Sequence, residues 1–309
     1  MEIKTQPAAK IIKRKIKKYH RQEVVCAYLM LFPLLFGLSV FYIYPIFRTI
    51  FFSFTKWGAF GSYKITGIGN YVKLLHDHDM LLALRNTFIY TGLSVPLGLS
   101  AALIIAALLN SKIKGLSIYR ALYFLPAITM PSAVAMVWNW IYNGDYGILN
   151  YCLSFFGIKG LGWVSDPNVA MYSLILVSIW GGIGISMIIF LAGLQGIPVT
   201  YYEAASIDGA GAIKKFFKVT LPLLTPTIFF SLITSLIGSL QLFDLVFMMI
   251  RPGNLAMVNT QSIVYLFYRN AFVLNDKGYG AAISVVLLVI TMIITAIQFT
   301  FQKKWVNYD

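Results

Sequence analysis

The 309-residue chain is 59% hydrophobic and 12% charged, with 25 Lys and Arg against 11 Asp and Glu for a formal net charge of +14. An ordinary soluble domain carries about 25% charged residues, so this chain has too little polar surface for water and its expected solvent is lipid. Nucleic-acid binding is excluded as the reason for the basic excess, because the charges sit in short segments between apolar runs.

Eight of the basic residues fall within the first 23 positions, and the cluster between Lys10 and Arg21 reads as a segment resting on anionic headgroups. Six apolar runs follow, each near the ~20 residues a spanning helix needs: 24–44, 86–109, 119–142, 172–193, 223–243 and 281–301. The first is too long for a signal-peptide core and continues past Pro45 as an amphipathic extension to about Phe54. The chain thus divides into a basic tail over 1–23, a transmembrane domain over 24–301 and a short tail over 302–309. The expected class is an all-α membrane protein with about six spans.

Orientation follows from the basic residues. With the N-terminus inside, sixteen lie in inside segments: the tail, Lys112, Lys114, Arg120, Lys214, Lys215, Lys218, Lys303 and Lys304. Eight lie outside: Lys56, Lys64, Lys73, Arg85, Lys159, Arg251, Arg269 and Lys277. This bias predicts that both termini are cytoplasmic. Trp57, Trp138, Trp140, Trp163 and Trp305 fall near the predicted membrane boundaries, where indole rings sit well. Cys26 and Cys152 have no metal or redox spacing and read as free, packed thiols. His76-Asp77-His78-Asp79 reads as a solvated outer loop, because no further ligand accompanies it. No metal site and no nucleophile–base arrangement is expected.

The segment between the fourth and fifth runs, about 198–222, carries the most specific pattern. It reads Glu203-Ala204-Ala205-Ser206-Ile207-Asp208-Gly209-Ala210, then Phe216-Phe217, then Leu221-Pro222. Pro198 and Thr200 open a short helix near Tyr201, with Glu203 in its first turn, where the helix dipole favours an acid. Gly209 permits a sharp turn at its end, and Pro222 starts the next span. This pattern resembles the EAA loop of ABC-importer permeases, with every element at the expected spacing. The rest of the chain resembles the carbohydrate branch of that family, as in Tyr44-Pro45 followed by Ser53-Phe54-Thr55 and Trp57. A departure is Met249-Ile250-Arg251-Pro252-Gly253-Asn254, where that branch often has a Gly-Gly-Pro turn.

The resemblance implies a type I ABC-importer permease fold in the bacterial cytoplasmic membrane. Glu203, Ala204, Ala205, Asp208 and Gly209 would couple the chain to an ATPase. No Gly-Lys pair occurs, so there is no phosphate-binding loop. This chain therefore binds no cofactor, and ATP with magnesium belongs to partner ATPase subunits. The other implied partners are a second homologous permease, an extracytoplasmic solute-binding protein, a sugar and the surrounding lipid. Two alternatives compete: an importer for a phosphate ester or small peptide, and a secondary carrier needing no ATPase, against which the coupling loop argues.

Polar groups within spans usually face a cavity or a neighbouring helix. Ser231, Ser235 and Ser239 recur at i, i+4 and i+8, a stripe that either lines a pathway or packs a helix interface. Gln241 and Asp244 extend it toward the outer end. Trp180-Gly181-Gly182-Ile183-Gly184 weakens the fourth helix and reads as irregular backbone beside a cavity, or as tight packing. Trp180, Gly182, Ile185, Ser235, Ser239, Gln241 and Asp244 are the candidate pathway residues, placed there by register with maltose-type relatives.

Overall fold

The computed structural model describes residues 8–57, 62–111 and 114–306, with side chains from Glu23 onward. Lys112 and the side chains between Lys10 and Arg21 lie outside the described residues. The chain forms two compact units, one up to Phe52 and one from Ser53.

In the first unit α1 (Ala8–Leu38) passes through a π-helical turn, Ser39–Ile43, into α2 (Tyr44–Ser53). The stretch Glu23–Ser53 is apolar enough to cross a bilayer. Pro45 explains the wide turn. Its ring has no N–H and crowds the preceding carbonyls, and Tyr44 N–H instead reaches back five residues to Ser39 O.

The second unit opens with an antiparallel hairpin, β1 (Thr55–Trp57) and β2 (Tyr63–Ile65), paired with Thr55 opposite Ile65. Asn70, on α3 (Gly69–His76), donates to Ser53 O and Thr55 O at 2.8 Å each. The long helices are α4 (His78–Leu109), α8 (Ala170–Gln195) and α16 (Lys277–Trp305). Between α4 and α8 lie α5 (Leu116–Ile128), α6 (Pro131–Ile141) and α7 (Ile148–Phe155). After α8 come α9 (Val199–Ile207), α10 (Ala212–Lys215), a π turn at Phe216–Thr220, α11 (Leu221–Leu223) and α12 (Thr225–Leu240). The far end is built from α13 (Asp244–Met249), α14 (Met257–Thr260) and α15 (Ile263–Tyr268), which runs through a π turn, Arg269–Val273, toward α16.

Among the described residues four helices are long and apolar enough to span, or six where each of two bent pairs is counted as one span. The bends correct the expected straight third and fifth spans. α5 and α6 meet at 100°, because Pro131 lacks an N–H and holds Met130 at ψ 133°. Pro222 does not start the fifth span. It sits in α11, and after a 67° bend α12 begins at Thr225-Pro226.

α4 packs along α8, and α12 and α5 pack on the same pair. One apolar cluster centres on Val95, Leu99, Met187, Phe190 and Leu224, another on Tyr142, Leu174, Val246 and Ile250. The Gly-rich stretch of α8 is regular helix and not broken backbone. At Gly184 a Cβ would collide with the carbonyl oxygen of Tyr123 and lie 2.9 Å from Phe124 Cα, so this glycine lets α5 close on α8.

Two other expectations change. His76–Asp79 is the junction of α3 and α4 and not a loop, although both histidines are exposed as expected. Asp77 caps α4 by accepting from Asp79 N–H at 2.9 Å and also accepts from the Tyr279 hydroxyl, while Asp79 pairs with Arg269 at 2.9 Å. Among the described residues no group of three or more His, Cys, Asp or Glu could hold a metal. Cys26 and Cys152 are free but exposed, Cys26 on α1 and Cys152 on α7.

Candidate functional site

A cavity of about 360 Å³, open on one side, lies between α4, α8 and α12. Its walls are three stripes of small and hydroxyl residues. α4 supplies Tyr90, Ser94 and Gly98, and α8 supplies Ser178, Gly182 and Ser186. α12 supplies Ser235 and Ser239 beside Thr234 and Gly238. Each stripe repeats every four residues, which keeps it on one helix face. A Cβ at Gly182 or Gly238 would meet nothing within 4 Å, so these glycines widen the space. Ile179, Ile185, Ile189, Val95 and Leu99 complete the lining, which carries no charged side chain.

The hydroxyls differ in how they are held. Tyr90 donates to Ser178 Oγ at 2.5 Å, and Ser239 donates to Leu236 O at 2.9 Å. Ser94 is only 6% exposed, and its Oγ makes no hydrogen bond to any described residue. A buried, unmatched hydroxyl costs about 1–3 kcal/mol.

The structure brings together Gly182, Ile185, Ser235 and Ser239 of the expected residues and separates the other three. Trp180 is two residues from Gly182, about 200° around the helix. It faces Trp138 edge-on, with ring centroids 5.5 Å apart. α12 ends at Leu240, so Gln241 leaves the helical register and lines a separate apolar groove with Ile263, Phe267 and Ile283. Asp244 starts α13 and is exposed. Ser231, at 1% exposure, is packed in the helix interface, so the stripe divides between packing and cavity. Sequence reasoning missed Tyr90, Ser94, Ser178 and Ser186. The fourfold spacing that marked α12 was equally present in α4 and α8.

At the other end of α8 the short helix α9 has no buried residue. It begins at Val199, so Glu203 lies beyond the first turn and the dipole argument for it fails. Its C-terminus is a double-bonded αL cap. Gly209 has φ +71°, its N–H donates to Ser206 O at 3.1 Å, and Ala210 N–H donates to Ala205 O at 2.9 Å. Lys215 Nζ donates to Ser206 Oγ at 2.7 Å, and Tyr202 meets Thr220 at 3.1 Å, so α9 is braced against the segment that follows. Ile207 is 88% exposed at the tip and Ile213 lies exposed nearby. Glu203, Ala204, Asp208 and Gly209 are exposed and Ala205 is half-buried.

The family described as binding-protein-dependent transport system inner membrane component matches residues 83–307. A probable ABC transporter permease protein of Bacillus subtilis (strain 168), YesP, is 38% identical over 292 residues, covering 94% of each chain. The sn-glycerol-3-phosphate transport system permease protein UgpA of Yersinia enterocolitica is 33% identical over 287 residues, covering 91% of this chain and 95% of that one. The fold is similar to that in the crystal structure of a bacterial ABC transporter involved in the import of the acidic polysaccharide alginate. That match has a TM-score of 0.82 at 22% identity and covers 95% of this chain and 100% of that chain. With its apolar spanning helices and this match over most of its length, the chain belongs to the inner-membrane permease family of binding-protein-dependent transport systems.

Proposed function

We propose that this permease passes a sugar or oligosaccharide through the cavity between α4, α8 and α12, driven by ATP hydrolysed on partner ATPase subunits. The cavity carries the solute part of this reading. Its walls offer hydroxyl groups from Tyr90, Ser94, Ser178, Ser186, Ser235 and Ser239 and no charge, which suits a neutral, hydroxyl-rich solute better than a phosphate ester. UgpA is named for an anionic solute, but nothing in this lining compensates an anion in a low-dielectric wall.

The exposed helix α9 suits a docking role. Glu203, Ala204, Ala205, Asp208 and Gly209 form the element that would enter a cleft on the ATPase, with the α9 end and both termini cytoplasmic. Closure of the ATPases around ATP and magnesium would then swing the helix bundles about the cavity as rigid bodies. A second permease subunit completes the pathway, and an external binding protein delivers the solute at the opposite end.

The test compares Ser239→Leu with Ser239→Ala, measuring uptake and membrane abundance. Leu fills the cavity, so uptake falls at least about tenfold while abundance and binding-protein-stimulated ATPase activity persist, whereas Ala retains most uptake. Normal uptake by a well-expressed Ser239→Leu protein removes this cavity from the pathway.

A further inference from the structure

The connection between α6 and α8 holds a helix with an unusual outward face. From Tyr146 to Ile158 there is no charged residue, and Asp145 and Lys159 mark the two ends. On α7, Leu149 packs against the apolar core and Asn150 is buried, whereas Ile148, Tyr151, Cys152 and Phe155 face outward at i, i+3, i+4 and i+7. Phe155 is 72% exposed and the adjoining Phe156 is 80% exposed. A helix on a water-facing surface puts polar residues on that stripe. Here Asn150 points inward and the apolar residues point out, and the one exposed serine, Ser154, turns its hydroxyl back onto Tyr151 O at 2.6 Å.

The inward face is firmly held. Asn150 Nδ2 donates to Gly144 O and Leu161 O at 2.9 and 3.0 Å, and its Oδ1 accepts from Leu161 N–H and Trp163 Nε1–H at 3.0 and 2.8 Å. The depth of the segment is also fixed. Tyr142, at the end of α6, donates to Ser173 O in the first turn of α8 at 3.1 Å and stacks on Trp163 at 5.5 Å. α7 therefore sits level with the first turn of the spanning helix α8 and with the end of α6. Those elements also carry exposed apolar residues, Met136 and Trp140 on α6 and Tyr172 and Leu176 on α8.

We propose that α7 is an interfacial helix, its outward face embedded at the boundary between headgroups and acyl chains, at the end of the bundle remote from α9. Lipid fits this face better than a soluble partner does. Non-obligate protein interfaces are only about 56–58% non-polar and rimmed by polar groups, but this face has no charge, and its rings match the aromatic belt of membrane proteins. The phenols of Tyr146 and Tyr151 would meet headgroups while Phe155, Phe156 and Ile158 enter the acyl layer.

Cys152 is an exposed reporter on this face. In a Cys26→Ser variant it is the one remaining thiol, because the chain has two cysteines. The variant, copurified with associated subunits whose cysteines are replaced by serine, is labelled with a nitrobenzoxadiazole maleimide. It is then placed in phosphatidylethanolamine–phosphatidylglycerol vesicles containing lipids with a nitroxide at the headgroup or at an upper acyl carbon. The nitroxide lipids should quench the dye strongly, and aqueous iodide should quench it at least about threefold less than the same dye on glutathione. Full iodide quenching with silent nitroxides would place α7 in water, and protection from both quenchers would place it under another protein. Either result overturns the proposal. A Phe156→Cys reporter in a background lacking both native thiols repeats the measurement one residue past the helix and should report the same lipid contact.

Discussion

At the residue scale, the informative side chains are those whose bonding is fully accounted for or wholly absent. Ser94 is buried and makes no hydrogen bond to a described residue, so folding gains nothing from its hydroxyl. Ser94→Ala should leave thermal stability unchanged or slightly raised, while uptake falls severalfold if a solute hydroxyl is its partner. Thermal unfolding in detergent and uptake in cells separate the two effects. Asn150 is the opposite case, with three hydrogen bonds binding α7 to Leu161 and Trp163 and a fourth to Gly144 O. Asn150→Ala strands their partners and should destabilise the protein by roughly 2–4 kcal/mol, read as a lower unfolding temperature and lower membrane abundance. Gly209 sits at φ +71° with open space around it. Gly209→Ala should therefore cost only about 1–2 kcal/mol, while Gly209→Pro cannot adopt that φ and distorts the tip of α9. Under the proposed coupling role, Gly209→Pro keeps its membrane abundance and loses solute-stimulated transport. Normal uptake by that variant would show that α9 does not transmit the ATPase cycle.

At the element scale, glycines decide how closely helices approach. Gly184 and Gly181 lie three residues apart on α8 and differ completely in surroundings. A Cβ at Gly184 would strike the α5 backbone at Tyr123 and Phe124, whereas one at Gly181 meets nothing within 4 Å. Gly184→Val should push α5 away and cost about 1–3 kcal/mol. Gly181→Ala should be neutral or stabilise by up to about 1 kcal/mol through helix propensity. Equal effects of the two on unfolding temperature would contradict this packing. The prolines act in the same local way: Pro45 follows a π turn, Pro131 follows the 100° bend and Pro222 follows a second π turn.

At the scale of the whole molecule, the cavity is open on one side and α9 is uncovered. Both features suit a subunit of a larger assembly. Purification from native membrane in mild detergent should bring down a second permease and an ATPase, identified by mass spectrometry. Replacing the ATPase's phosphate-binding lysine should abolish uptake without reducing the abundance of this chain. Uptake by the isolated chain in vesicles without ATP would contradict an ATP-driven mechanism.

Composition and apolar run length by themselves determined the membrane class, because no water-soluble packing can cover so apolar a chain and the bilayer sets the length of each span. The Glu203–Gly209 pattern with Leu221-Pro222 pointed to the permease family, since local turn and cap chemistry at many fixed positions is written directly in the residues. Sequence could not divide the serine stripe, because Ser231, Ser235 and Ser239 share one helix face and differ only in what lies opposite. Nor could it remove Trp180, Gln241 and Asp244 from the cavity, which required knowing where α12 ends and which way α8 is turned. The bends at Thr129-Met130 and Leu224, the ties from Asp77 and Asp79 to Tyr279 and Arg269, and the convergence of three stripes on one space came from the tertiary structure alone. Each depends on contacts between residues far apart in the chain, and a periodicity within one helix carries no information about its neighbour.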